Sequence, residues 1–428
     1  MRRILVISYY WPPTGGSGVQ RWVKFSKYLP SEGWQPVIYT PSNPERLAVD
    51  ESLAADVPPE AEIIRTPIRE PYGAYRRISG KKWDAKGAGL NPINSQRKSF
   101  KQKLLLWIRS NFFVPDPRSG WVKPSLRFLK AYLAEHPVDA IVSTGPPQSM
   151  HLLGLALHRS TGIPWIADFR DPWTKMFYFG NLPLLPWVRR RHVRMEQEVL
   201  DGADAVVAVS PRVQADFAAG TSTPVHLITN GFDEEDFALP LPARNDGEFR
   251  IVHTGLFASD GNPLRLWKAL AERCKADPAF RSALRIRLAG KVDPEISDAI
   301  REAGLGENLV LPGYLSHPDS VMELRTADLV LLPLRQSPEY DKVLPGKIFE
   351  CLACGRPVLG IGPKDSAAGD LLSGSGAGIM ADWDEDPSPA IDKLAVGGYG
   401  CSAGKAAPFT RRLLSKKMAS LLEDITRK

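Results

Sequence analysis

Cysteine is scarce: Cys274, Cys351, Cys354 and Cys401 are the only four in 428 residues. That number gives no disulfide framework and suits a reducing compartment. No apolar run approaches the ~18 residues that would suggest a membrane span. The densest patches, Leu104 to Trp107 and Leu182 to Trp187, are far shorter. Histidine is sparse and scattered, and the one Asp-x-Asp, Asp382-Trp383-Asp384, sits in a late acidic loop that reads as a solvated turn. No metal site is expected. The chain shows no finger, basic zipper or RNA-recognition signature, so nucleic acid is not an expected partner. With 43% hydrophobic and 24% charged residues, disordered and low-complexity classes are also excluded. The opening Met1–Pro13 is basic and then apolar but has no small-residue cleavage site, and reads as a strand rather than a signal peptide.

What is present is an alternation. Apolar runs rich in Val and Ile alternate with helical patterns, as a parallel sheet covered on both faces requires. Seven candidate strands precede residue 229: Ile4–Tyr10, Pro36–Thr40, Ala61–Thr66, Ala140–Thr144, Pro164–Asp168, Ala205–Val209 and Val225–Ile228. Six follow: Arg250–His253, Arg285–Ala289, Leu309–Leu311, Leu329–Leu332, Pro357–Ile361 and Gly378–Met380. The polar, Pro-containing stretch Leu239–Glu248 separates the two series. The expectation is therefore an α/β protein of two doubly wound domains, residues 1–240 and 241–407. Residues 408–428 form a terminal amphipathic helix expected to pack back on the first domain.

Charge is unevenly spread. The formal net charge is +7, and residues 65–130 alone carry 16 Lys and Arg against three acidic residues. Such an excess suggests an anionic partner, either phosphorylated or a membrane surface. Within it, the Leu104-Leu105-Leu106-Trp107 patch is flanked by Lys98, Lys101, Lys103 and Arg109. Two readings stay open: a surface helix with a solvated basic face, or an interfacial membrane helix.

Several strand ends carry chemistry. Gly15 and Gly16 lie between the first strand and a helix whose face is Val19, Trp22, Val23, Ser26 and Leu29. Glycines there let backbone N–H groups approach an anion, although the spacing is not the dinucleotide fingerprint. His151 falls in the first turn of the helix after the strand ending at Thr144, and Asp168, Arg170, Asp171 and Trp173 cluster after the next. In open α/β sheets ligands sit outside these carboxyl ends. The richest segment is Val343–Leu359, where Lys347 and Glu350 share the first-turn face of a helix. A cation and a carboxylate at that place suit a ligand with phosphates and vicinal hydroxyls. Cys351 and Cys354 sit inside the same helix with no second pair, against a zinc or redox role.

These segments together resemble the retaining glycosyltransferases of family 4, in order and over nearly the whole chain. The Gly15-Gly16 loop resembles that family's N-terminal glycine motif. Thr229-Asn230-Gly231-Phe232-Asp233, with Phe237, resembles its hinge, and Pro345–Leu359 its donor-nucleotide motif. The resemblance implies a GT-B fold of two facing Rossmann-like domains and transfer from a nucleotide diphosphate sugar without an essential metal. It implies Glu350 on the ribose hydroxyls, with Gly15, Gly16, Gly255, Lys347 and Lys342 also toward the donor. Lys342 stands where the family places a glutamate, and Arg170 where many members place a histidine. His151, Asp171 and Arg170 are then the catalytic candidates, and Asp168 and Trp173 the acceptor contacts. The basic first domain suits a lipid-linked or polysaccharide acceptor, in the cytoplasm and peripheral on the inner face of the membrane. A nucleotide-sugar epimerase of the same fold and a non-catalytic nucleotide-sugar-binding protein are the alternatives. The oligomeric state is not legible.

Overall fold

The computed structural model describes residues 1–45, 49–70, 100–241 and 243–427. Lys98 and the basic residues between 71 and 99 lie outside the described residues. The chain forms two compact units, Met1–Thr229 with Arg411–Lys428, and Asn230–Thr410.

The first unit is built on a sheet of seven strands: β1 (Arg2–Ile7), β2 (Trp34–Pro41), β3 (Glu62–Thr66), β4 (Ala140–Gly145), β5 (Trp165–Phe169), β6 (Ala205–Ala208) and β7 (Val225–Leu227). Their order is β3-β2-β1-β4-β5-β6-β7, and every pairing is parallel. Strand β1 is central: Leu5 lies opposite Val37 of β2 and Ile141 of β4. Ile4, Leu5, Val6 and Ile7 are all fully buried, which is why the strand reads as a continuous apolar run rather than an alternation. It ends at Ile7, three residues before the expected Tyr10. There the Ser8 hydroxyl donates to the Tyr10 carbonyl at 2.9 Å, turning the chain out of the sheet.

The second unit has six strands: β8 (Phe249–Thr254), β9 (Leu284–Ala289), β10 (Leu309–Gly313), β11 (Leu329–Pro333), β12 (Val358–Ile361) and β13 (Gly378–Ala381). Their order is β10-β9-β8-β11-β12-β13, again all parallel. All the expected strands form, with ends displaced by a few residues.

The division between units falls at Thr229, not at residue 240. The intervening segment packs into the second unit: Phe232 is buried in its core with Phe237 against it. Asp236 Oδ2 pairs with His317 Nε2 at 3.0 Å, and the Leu239 carbonyl accepts from Arg325. Pro240 marks a surface stretch, and these contacts set the boundary.

The helix Arg411–Thr426 belongs to the first unit. Leu414, Met418, Leu421, Leu422 and Ile425 are buried in that unit's core, and the Arg412 guanidinium lies 4.9 Å from the Tyr28 ring centre. Each such apolar side chain is worth roughly 1.5–3 kcal/mol on burial, so the helix is part of the first unit's stability.

Candidate functional site

In each sheet the strand order reverses once, between β1 and β4 and between β8 and β11. Crevices outside the carboxyl ends at such points are where open α/β sheets bind ligands. The predicted residues gather at these two places.

In the first unit, Gly15 is buried and Gly16, at φ +105°, precedes the helix Ser17–Tyr28. A side chain would be strained there, which is what the glycine supplies. The loop is held by Arg170, whose guanidinium donates to the carbonyls of Gly18 at 2.5 Å, Gly145 at 3.3 Å and Pro146. A Cβ at position 18 would lie 2.8 Å from Arg170 Nη1. Arg170 is thus a bracket between the loops after β1 and β4; the catalytic role expected of it gives way to this one.

Asp168 is likewise inward. Its carboxylate accepts from Arg21 Nη2 at 2.9 Å, Trp22 Nε1 at 2.8 Å and Thr144 Oγ1 at 2.9 Å, all fully enclosed. Burial opposes its ionised form, and the Arg21 guanidinium overcomes this and holds the pKa below the ordinary range. Its expected acceptor contact is replaced by this internal pairing, because no oxygen is left for a ligand.

His151 is fully buried and stacks on Phe169, ring centres 4.3 Å apart. Ser143 Oγ accepts from Trp165 Nε1 at 2.9 Å and sits 2.9 Å from His151 Nδ1. The Ser143 hydroxyl, with one proton and two lone pairs, pairs with Nδ1 in a direction set by the ring tautomer. Burial pushes the pKa down to about 3, so the ring is neutral. His151 supports the β4 loop rather than reaching a reacting atom. Asp171 differs from its neighbours: it is half-buried and, among the described residues, its carboxylate makes no hydrogen bond. Burial pushes its pKa up, with Arg170 pulling against that.

Trp173 lines a pocket together with Tyr10, Pro147, Phe179 and His192. Its indole donates to His192 Nδ1 at 3.0 Å, and its backbone N–H donates to the buried Glu196 at 3.0 Å. Burial lowers the His192 pKa to about 4, leaving a neutral ring with its proton on Nε2. Leu106, Arg109 and Ser110 of the helix Phe100–Phe112 form another wall. Neither that wall nor His192 was foreseen from sequence, because the residues come from distant segments.

In the second unit, Lys347 and Glu350 open the helix Lys347–Ala353, Nζ to Oε2 at 2.6 Å. The Lys347 stem passes over Gly255: a Cβ there would lie 3.8 Å from its Cε. Gly255 has φ +110°, and the similar Gly290 packs so closely on it that a Cβ would meet the Gly255 carbonyl at 2.3 Å. Three of the expected donor residues thus come together after β8. Lys342 follows the short turn Pro338–Asp341. His317 is an addition: its pKa is raised, first by the hydrogen bond to Asp236, with the Glu350 charge acting in the same direction. Cys351 is buried in the helix and Cys354 is half-buried at its C-cap, and burial pushes the Cys354 thiol up to about 11, unlike a metal ligand or redox pair. Among the described residues no group of three or more His, Cys, Asp or Glu could hold a metal ion.

Two family models cover most of the two units: Glycosyltransferase Family 4 over residues 93–236, and Glycosyl transferases group 1 over residues 248–388. The chain is a glycosyltransferase. No curated protein matches it by sequence. Among solved structures, a sucrose-phosphate synthase from Thermosynechococcus elongatus matches with TM-score 0.63 and 14% identity, over 100% of both chains. A glycosyltransferase from Rickettsia africae matches with TM-score 0.61 and 14% identity, over 100% of this chain and 99% of that one. WaaG, a glycosyltransferase involved in lipopolysaccharide biosynthesis, matches with TM-score 0.53 and 12% identity, over 98% and 95%. At such identities the likeness speaks for the fold, which is GT-B. The glycosyltransferase uses a nucleotide-sugar donor and a saccharide acceptor.

Proposed function

We propose that this glycosyltransferase transfers a sugar, with retained anomeric configuration, from a nucleotide diphosphate sugar to a hydroxyl of a lipid-linked or polysaccharide precursor. It works at the inner face of the cell membrane. The second unit takes the donor: Glu350 accepts from the ribose hydroxyls, and Lys347 meets the diphosphate. Gly255 and Lys342 lie toward the same donor. Fixed donors of this kind stabilise the charge that grows on the departing diphosphate, so no metal is required. The first unit takes the acceptor in the pocket beside Trp173. Asp171 is the carboxylate nearest in sequence to that wall with no hydrogen bond among the described residues, and it orients the attacking hydroxyl.

One observation carries the lipid-linked acceptor. The helix Phe100–Phe112 has two working faces and no acidic residue. Phe100, Leu104, Trp107, Ile108 and Phe112 form an exposed apolar stripe, with Phe100 and Phe112 at 80% and 71% exposure. Leu106, Arg109 and Ser110 on the other side line the pocket. Asn111 ties this helix to the segment leading into the helix Pro186–Gly202: it donates to the Pro183 carbonyl and accepts from Leu185 N–H, both at 2.8 Å. The helix Pro186–Gly202 then presents exposed Trp187, Arg190, Arg191 and Arg194. Apolar and basic groups on one surface suit an anionic bilayer, with about 1 kcal/mol per basic residue near the lipid. Among the described residues no helix is long and apolar enough to cross a membrane.

Sedimentation with anionic and neutral vesicles tests the surface. Recovery with anionic vesicles should be greater, fall with salt, and drop on Leu104→Ser with Trp107→Ser. Equal recovery with both vesicle types at low salt would remove the membrane from the proposal.

A further inference from the structure

Two side chains in the pocket beside Trp173 are almost wholly buried, yet each keeps one polar atom without a partner. His192 is 4% exposed, and its Nδ1 accepts from the Trp173 indole at 3.0 Å. An indole N–H can only donate, so the neutral ring carries its proton on Nε2, and a ligand atom facing Nε2 must accept. Among the described residues this Nε2 has no hydrogen-bond partner. Unlike the unpaired polar atoms that the fold encloses, it stays open where the ring lines the pocket. Tyr10, 8% exposed, lines the same pocket, and its hydroxyl is likewise open and without a hydrogen-bond partner among the described residues.

The charge of the lining decides what suits these donors. Two arginines, Arg109 and Arg118, share the pocket with one acid, Asp116. Asp116 is committed to the fold: Oδ1 accepts from Arg118 N–H at 2.9 Å and from Ser149 Oγ at 2.8 Å, and Oδ2 from Ser149 N–H at 2.8 Å. Arg118 is matched by Glu70, Nε to Oε1 at 2.9 Å. Arg109 comes from the helix Phe100–Phe112, which has no acidic residue. The charges of Arg189 and Arg191 reach the His192 ring from its own helix, and the Arg189 guanidinium lies 5.2 Å from the Phe179 ring centre. The lining thus offers N–H and O–H donors in a positive field, which favours an anion over a neutral hydroxyl.

The donors also come from three directions in the chain. Tyr10 stands on the loop after β1, Arg109 on the helix Phe100–Phe112 and His192 on the helix Pro186–Gly202. A carboxylate presents two oxygens in one plane, whereas a phosphate ester presents its oxygens tetrahedrally and can meet donors that are not coplanar. Phe113, Pro147, Trp173 and Phe179 leave an apolar wall for whatever the phosphate is attached to.

We propose that this pocket binds a phosphate group of the acceptor, with His192 Nε2–H and the Tyr10 hydroxyl donating to its oxygens and Arg109 supplying the opposite charge. This rests on the reading that the first unit holds the acceptor, and it makes that acceptor a phosphate ester.

The test uses the full chain without lipid and three probes, benzyl phosphate, phenylacetate and benzyl alcohol, titrated by ligand-observed NMR. Nucleoside diphosphate saturates the second unit throughout. Benzyl phosphate should bind about tenfold more tightly than either of the others, the value of one charge-assisted hydrogen bond. Tyr10→Phe removes only the hydroxyl, and His192→Asn keeps an acceptor for the Trp173 indole but no Nε2 donor. Each should weaken benzyl phosphate by about tenfold and leave benzyl alcohol within about threefold. The urea midpoint of the first unit's transition confirms that each variant is folded. If nucleoside diphosphate displaces benzyl phosphate, the phosphate belongs to the second unit and the proposal is overturned. Sedimentation with anionic vesicles should be unchanged by Tyr10→Phe; a loss there would give the phosphate to a membrane headgroup instead. Ser110→Phe, which places a ring in the pocket, separates the two levels. If it abolishes binding of all three probes while phenylacetate equals benzyl phosphate, or while Tyr10→Phe and His192→Asn bind benzyl phosphate as before, the phosphate assignment is wrong and the acceptor pocket stands. If Ser110→Phe leaves benzyl phosphate bound as before, the acceptor pocket is wrong and the phosphate assignment falls with it.

Discussion

Lys347 Nζ and Glu350 Oε2 lie 2.6 Å apart on the first turn of one helix, a cation and a carboxylate satisfying each other. A nucleotide that takes the carboxylate on its ribose and the ammonium on its diphosphate exchanges one partly buried ion pair for two charge-assisted contacts. The two residues therefore respond differently to truncation.

Glu350→Ala should weaken nucleoside diphosphate binding by roughly tenfold to a hundredfold, the value of a hydrogen bond to a charged group. The free nucleoside should lose a similar factor, since both ligands carry the ribose. Lys347→Ala should lower turnover more than ground-state binding, because leaving-group charge grows in the transition state. Titration of each folded variant with both ligands distinguishes these roles. Unchanged affinity for both in Glu350→Ala would mean that the pair only starts the helix.

Arg170→Ala should destabilise the first unit by about 2–4 kcal/mol, since three carbonyl acceptors lose one charged donor together. The urea midpoint of the first unit's transition should fall, with nucleoside diphosphate binding to the folded protein retained. A variant of full stability would contradict the bracket drawn from Gly18, Gly145 and Pro146.

His151 sets a pH dependence whose sign follows from its burial. Its folded pKa is about 3, below the ordinary value of 6.5, so between these limits the unfolded chain binds the extra proton. Stability from this group is complete above pH 6.5 and falls as pH drops, by at most about 1.4 kcal/mol per pH unit. His151→Gln keeps an acceptor for Ser143 but does not titrate. Between pH 6 and 4 the wild type should lose stability more steeply than the variant, read from urea unfolding at each pH. Equal slopes would place a charged imidazole in the core.

Turnover should survive a chelator. The prediction rests on Lys347 beside Gly255 as the cation available to the diphosphate. Loss of activity in a chelator, restored by a divalent ion, would assign that charge to a metal instead.

The sequence determined the fold class by itself, since a strand buried on both faces must be apolar throughout. Ile4–Ile7, Ala140–Val142 and Val206–Val207 have no alternative environment, and a parallel order with helices between them follows. It also determined the Lys347–Glu350 pair, because residues three apart on one helix are neighbours whatever the tertiary packing. Contacts across long stretches of chain were decided only by the tertiary structure. Asp168 looked like an open carboxylate on a strand end, and Arg21, 147 positions earlier, closes it. Arg170 looked like a catalytic stand-in, and the carbonyl of Gly18, 152 positions away, makes it a bracket. Gln148 carried no signal at all: Asp116, 33 positions before Ser149, takes the cap and leaves the amide unpaired. Periodicity reports which face is buried, whereas a polar side chain's role depends on which distant partner reaches it first.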